Sequence, residues 1–430
     1  MEFRKATLDN GLEIVAECSP RAYSTALGFF VKTGSRDESD QVHGVSHLLQ
    51  FIVWQRTPVR TAVDVNRQLD EIGSHSNAFT SEEQTVYFAA FLPDYQDRAL
   101  ELFCDLLRPS LRQKDFDLQK QVALEAIAKY EGSPPFGAHE KCMAAHFGGH
   151  PLARSVTGTP ASVVALKHDD MHDYFRQRYS PGNMVLVAAG NVDFDRLVRQ
   201  TDGWCGRWEP CETSRWTPRA HGTNAFRMIH NSLAAQQHVV QIADGPTAED
   251  EQRYAARLLA TILGDSSGSR LHWELFDTGL AETAVLETYD YQGAGIFMTY
   301  LCCAPGDTPE NLRRIQRIYM QAESEGVSNA ELTLAKSKIR SHVILQAERP
   351  ANRLFSVGNN WITRGVYLTA REIVERYDRV TSQDIADVLA CYPLSTHTTV
   401  ALGPLQQAEQ VTGGNWWDGL WTAPPRIPLR

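Results

Sequence analysis

TVYFAAFL (85–92) runs directly into DYQDRALELFCDLL (94–107). The first stretch is rich in β-branched and aromatic residues and reads as a strand; the second has apolar residues at helical spacing. Some 210 residues further on the pair returns, as GIFMTYLCCA (295–304) followed by TPENLRRIQRIYMQAES (308–324). One strand–helix plan written twice decides the fold. Upstream of the first copy, STALGFFVKTG (24–34) reads as a buried strand, with helical segments at about 43–55 and 61–73. Upstream of the second, HVVQIADG (238–245) reads as a strand and DEQRYAARLLATIL (250–263) as a helix. Each copy is followed by a long helix, 114–131 and 329–350, the first ended by Gly132-Ser133-Pro134-Pro135 and the second by Pro350. A sheet with helices packed against it, built twice, is the expected architecture. GWCGRWEPCETSRWTPRAHG (203–222) mixes Pro, Gly, Trp and charge, which predicts domains at 1–203 and 223–430 joined by a linker at 204–222.

The 430 residues are 43% hydrophobic and 22% charged, enough for two domains with sizeable cores. A formal net charge of -10 argues against nucleic acid and anionic membrane surfaces as partners. The first residues, MEFRKATLDNGLEIVAE, carry no apolar signal core, and no apolar run reaches membrane-spanning length. The eight cysteines form no CxxC pair, so reduced, mostly buried thiols and a cytoplasmic location are expected. Cys205 and Cys211 share one loop-like stretch and are the pair within reach of a bridge. The tail from about 411 holds Trp416, Trp417 and Trp421, expected to dock on this chain or on a partner subunit.

Chemistry is concentrated in His43-Gly44-Val45-Ser46-His47-Leu48-Leu49-Gln50-Phe51. An inverted zinc motif, H-x-x-E-H, puts two imidazoles one helical turn apart with a carboxylate between them, so that the carboxylate can take a proton from zinc-bound water. Its chemical places hold His47, Gln50 and Phe51 here. An amide accepts no proton near neutral pH, and a phenyl ring has no lone pair for zinc.

With its surroundings this stretch resembles the pitrilysin-type zinc peptidases, in the short form that includes mitochondrial processing peptidase. LDNGLEIVAE (8–17), GSRDESDQVHGVSHLLQF (34–51) and RTAVDVNRQLDEIGSHSNAFTSEEQTVYF (60–88) follow the family pattern in order. So do HPLARSVTGTPASV (150–163), YSPGNMVLVAAGNVD (179–193), ERPANRLFSVGNNWITRG (348–365) and VTSQDIADVLA (380–390). The resemblance implies an α+β chain of two homologous domains, each a mostly antiparallel sheet with helices packed on it. It also implies two such subunits closing around a chamber for unfolded peptides, with zinc in the active one.

The departures fall on the chemical positions. The third zinc ligand of the family is expected within VALEAIAKYEGSP (122–134), where Ala126 takes its place; a one-residue shift would put Glu125 there instead. The family's Arg and Tyr that bind the substrate carbonyl fall on Phe276 and Glu282 of SRLHWELFDTGLAETAV (269–285). No cofactor is expected. The resemblance then implies a non-catalytic subunit, pairing with itself or with an active homologue and helping to hold peptides. Two alternatives stay open: an active metalloendopeptidase with a rearranged zinc site of His47 and Glu125, and a homodimeric binding or scaffold protein. Asn77-Ala78-Phe79-Thr80 resembles the start of the family's edge strand, on which a peptide adds by backbone hydrogen bonds without any catalytic residue. His139, Glu140, His146 and His150 form a second cluster, in which Gly148 and Gly149 interrupt the helical spacing a metal would need.

Overall fold

The computed structural model describes residues 1–412, so Trp416, Trp417 and Trp421 lie outside the described residues. In chain order the strands are β1 (Glu2–Thr7), β2 (Glu13–Cys18), β3 (Thr25–Val31), β4 (His75–Thr80), β5 (Thr85–Phe91), β6 (Met184–Gly190), β7 (Phe226–His230), β8 (Gln237–Asp244), β9 (Thr283–Tyr291), β10 (Ala294–Cys303) and β11 (Thr398–Gly403). The helices used below are α1 (Val45–Ile52), α2 (Ala62–Glu71), α3 (Gln96–Leu106), α4 (Gln113–Gly132), α5 (Ala138–Phe147), α6 (Pro160–Ala165), α7 (His168–Arg178), α8 (Phe194–Cys205), α9 (Arg253–Gly264), α10 (Thr308–Glu325), α11 (Asn329–Ala347) and α12 (Pro350–Arg364).

The first sheet runs β1-β2-β6-β3-β5-β4 and the second β7-β11-β8-β10-β9. Apart from β1, the two orders correspond strand for strand in chain order. Their directions correspond as well. The β2–β6 and β7–β11 pairs are parallel, and the pairs that follow in each sheet are antiparallel. The doubled strand–helix plan is thus a doubled topology, and the α+β reading of two mostly antiparallel sheets with packed helices holds.

Two compact units exchange segments between the chain's halves. One comprises 1–128, 154–216 and 343–371; the other comprises 129–153, 217–342 and 372–430, as far as it is described. The cut at Trp216/Thr217 falls inside the stretch read as a linker. What the contiguous division did not contain is the reciprocal exchange: α12, from the second half, lies on the first sheet, and α5, from the first half, lies on the second.

In the first unit the sheet's two faces divide the apolar residues by strand alternation. Phe29, Tyr87, Ala89 and Leu186 point to the side covered by α1, α3 and α8; Phe30, Val86 and Val187 point to the side covered by Leu354 and Val357 of α12. Strands buried on both faces read as unbroken apolar runs, which is why 24–34 and 85–92 stand out in the sequence. The hold on α12 is polar as well. Arg353 pairs with Glu17 of β2 through both guanidinium ends, both side chains are buried, and the Tyr367 hydroxyl donates to the same carboxylate at 2.7 Å. In the second unit, Cys142, Met143 and Phe147 of α5 pack with Val240, Ile242, Met298 and Val400 of the sheet.

Candidate functional site

The start of α1 depends on a close backbone approach. Gly44 sits at φ 94° and Gly158 at φ 76°, and a Cβ on Gly158 would come within 2.9 Å of the Gly44 Cα. Only glycine combines that conformation with that contact. Beyond Gly44, the buried Glu38 carboxylate accepts the amides of Gly44 at 2.7 Å and Ser46 at 2.8 Å. It satisfies two donors that a helix start leaves open. Burial pushes the Glu38 carboxyl up to about 8, with the two amides pulling the other way. The Ser46 hydroxyl and the Thr33 hydroxyl meet the Tyr174 phenol of α7 at 2.8 and 2.6 Å. The helix carrying the degenerate motif is therefore firmly seated.

On that helix His47 is half-buried, and loss of solvent lowers its imidazole to about 4. Its Nδ1 is buried without a hydrogen-bond partner, and its ring meets Phe51 edge-on at 5.0 Å. The neighbour at the next turn is thus an aromatic face where a second ligand would be needed. Gln50 turns its amide to β4, donating from Nε2 to the Ala78 carbonyl at 3.1 Å. A carboxylate at this place could not donate and would set negative charge against a carbonyl oxygen. The amide is suited to joining α1 to the sheet edge, a role that the comparison with a general base had hidden.

β4 is the outer strand of its sheet and pairs with β5 alone. Asn77, Ala78, Phe79 and Thr80 form its last four residues. The Ala78 amide donates to Asn77 Oδ1 at 2.8 Å while its carbonyl takes the Gln50 amide. A strand added along this edge therefore competes with two side chains for the Ala78 backbone. Edge groups capped in this way also resist unwanted strand pairing.

Glu125 and Ala126 lie on α4, Glu125 exposed and Ala126 half-buried. Among the described residues, no three His, Cys, Asp or Glu side chains come together so as to hold a metal ion. Zinc requires about three or four donors, and His47 alone is not such a set. The residues present do not fit the zinc that the resemblance implies.

The other expected positions are scattered into local roles. Phe276 ends a short π-helical turn, half-exposed, with its ring stacked 5.2 Å from His272. Glu282 accepts from Gln236 Nε2 at 2.5 Å and from the Cys302 thiol at 3.8 Å. Neither offers a donor to a substrate carbonyl. His146 is buried between Thr398 Oγ1 and Asp244 Oδ1, both at 3.1 Å, and His150 lies beyond the end of α5, 3.3 Å from the Pro218 carbonyl. His139 is half-buried on the same helix with its ring 6.0 Å from Tyr289. The three histidines are thus held by separate neighbours, His146 and His150 through hydrogen bonds. His43 bonds the Ser155 carbonyl at 2.9 Å, and His75 is exposed on β4. No helix among the described residues is long and apolar enough to cross a membrane.

Residues 13–160 match the family model described as insulinase (peptidase family M16), and residues 165–339 the model described as peptidase M16 inactive domain. An uncharacterized zinc protease of Mycobacterium leprae is 32% identical over 389 residues, covering 89% of this chain and 87% of that protein. The uncharacterized zinc protease YmxG of Bacillus subtilis is 26% identical over 381 residues, covering 88% and 92%. Among solved structures, a protease from Helicobacter pylori superposes with a TM-score of 0.87 at 20% identity, covering 93% of this chain and 99% of that one. A chain of complex III2 from Candida albicans superposes with a TM-score of 0.81 at 18% identity, covering 95% and 99%.

Proposed function

The chain belongs to peptidase family M16, the pitrilysin-type family, and on that premise we propose that it is a non-catalytic member which works by assembly. It pairs with an active homologue or with a second copy of itself, contributes one wall of a chamber, and helps hold unfolded peptide. The carrying observation is the face of α1: a lone imidazole, an amide tied to β4, and a phenyl ring in edge contact with the imidazole. Peptidase chemistry in this family needs a metal-bound water and a base beside it, and that face supplies neither. Peptide holding uses the outer strand β4, where backbone pairing requires no catalytic side chain once the peptide displaces the Asn77 and Gln50 side chains from the Ala78 backbone. Assembly away from a membrane, in the cytoplasm, is part of the same reading.

The test is hydrolysis of an unfolded polypeptide by the purified chain, alone and with an added active M16 subunit, alongside sedimentation of each mixture. No cleavage by the chain alone is expected, together with a dimer, either of itself or with the added subunit. Cleavage by the chain alone, abolished both by a chelator and by His47→Ala, would overturn the proposal in favour of a zinc site built on His47 and Glu125. A stable self-dimer that neither binds peptide nor joins an active subunit would favour a plain scaffold.

A further inference from the structure

The sequence offered Cys205 and Cys211 as the pair within reach of each other. The structure pairs Cys205 differently. α8 continues to Cys205 and buries its thiol, whereas Cys211 lies beyond the helix and is exposed. The sulfur facing Cys205 is that of Cys104, at 3.3 Å, from the neighbouring helix α3. Both thiols are almost wholly enclosed, and 101 residues of chain separate them.

Two further features bear on this pair. Cys104 lines an open pocket of about 560 Å³, together with Glu101, Asp105, Arg108, Trp204 and Trp208. The pocket brings a small molecule up to the Cys104 residue, which closes part of its wall. Arg108 stands in the same wall, its guanidinium 3.5 Å from the centre of the Trp208 ring and bonded to the Leu107 carbonyl. The nearby Asp105 carboxylate is already engaged by Arg60 and Thr57. Burial and the neighbouring Cys205 sulfur hold the Cys104 thiol well above its ordinary value, and the Arg108 cation offsets only part of that rise. The pair therefore rests as two thiols, and oxidation passes through the small fraction of thiolate, the form that reacts.

We propose that Cys104 and Cys205 are an oxidisable dithiol, converted to a disulfide by a hydroperoxide that enters through the pocket. In the first step the Cys104 thiolate attacks one oxygen of the hydroperoxide. A sulfur–oxygen bond forms, the oxygen–oxygen bond breaks, and the other oxygen leaves as an alcohol, or as water from hydrogen peroxide. In the second step Cys205 attacks the Cys104 sulfur of the resulting sulfenic acid. The sulfur–sulfur bond forms, the sulfur–oxygen bond breaks, and water leaves with the thiol proton. Two thiols lose two electrons in all, and the peroxide gains them. The sulfurs need to approach by only a little over 1 Å to reach the roughly 2.05 Å of a disulfide. The bond would fasten α3 to α8, and a thiol reductant would reverse it.

The experiment uses the full chain with no substitution at either cysteine. After exposure to hydrogen peroxide, free thiols are alkylated in denaturant and the protein is digested without reductant for mass spectrometry. The expected product is one peptide pair joined through Cys104 and Cys205, lacking two hydrogens and released by reductant. The exposed Cys211 and Cys391 serve as internal controls for oxidant strength. In a Cys211→Ser/Cys391→Ser variant the same linked pair should form to the same extent. Recovery of Cys104 and Cys205 as alkylated thiols while Cys211 and Cys391 are oxidised would overturn the proposal. So would their recovery as separate sulfinic or sulfonic acids, or joined to other partners.

Discussion

At the scale of single residues, the positions that depart from a peptidase have taken up structural work. His47 shows this through its proton. Its imidazole is lowered to about 4 in the folded chain by burial, against an ordinary value near 6.5. Between those values the unfolded chain binds a proton that the folded chain does not, so stability falls as pH drops from about 6.5 towards 4. His397, enclosed and also lowered to about 4, acts in the same window. His47→Leu should leave urea-unfolding stability near pH 7.5 within about 1 kcal/mol, since its Nδ1 has no partner to lose. It should also remove roughly 2 kcal/mol of the loss seen at pH 4.5; parallel pH curves for the two proteins would contradict this. Gln50→Glu, the change that would restore a general base, replaces a donor to the Ala78 carbonyl with a negative charge. It should cost about 1 to 2 kcal/mol near neutral pH and gain no hydrolytic activity. Calorimetry and a peptide-cleavage assay check the two parts. The loss of the motif was legible in the sequence, because His, Glu and His are chemically unambiguous. The new partners of Gln50 and Glu38 were not, because they are fixed by β4 and by the turn before α1, which the motif does not contain.

At the scale of elements, the apolar runs and the helix stops carried most of the reading. The long helix expected at 114–131 is α4 at Gln113–Gly132, and that expected at 308–324 is α10 at Thr308–Glu325. Periodicity reports which face of an element is buried but not which sheet buries it. For that reason α12, apolar on one side, gave no sign of lying on the sheet of the other half, and α5, whose apolar residues follow no clear helical face, gave even less. The ion pair that fixes α12 offers a test. Arg353→Ala leaves the buried Glu17 carboxylate without its cation, which should cost about 3 to 5 kcal/mol. Replacing both partners, as Glu17→Leu with Arg353→Met, should recover much of that loss, because no buried charge is then left unpaired. Unfolding of the three proteins in urea decides it: equal losses in the single and double variants would mean that packing alone holds α12. Gly44→Ala tests the start of α1 in the same way. The strained φ and the contact with Gly158 should lower stability by at least about 1 kcal/mol.

At the scale of the whole molecule, the repeated topology holds the fold independently of the zinc-motif positions. Each sheet is closed on its faces by helices and apolar side chains, and none of the positions expected to hold zinc is needed for those cores. The family could be read from several segments in their right order, because glycine turns, helix caps and buried strands constrain sequence well outside the zinc motif. The boundary between compact units could be read only in part, since the cut at Trp216/Thr217 is local while the exchanged segments are remote from it. The most direct measurement is the metal content of the purified chain, determined by mass spectrometry of the elements after equilibration with zinc and removal of loosely bound ions. With a single imidazole at the motif and no group of three metal-binding side chains among the described residues, the chain should retain far less than one zinc per molecule, and His47→Ala should change nothing. About one tightly held zinc per chain, lost on His47→Ala, would contradict the account.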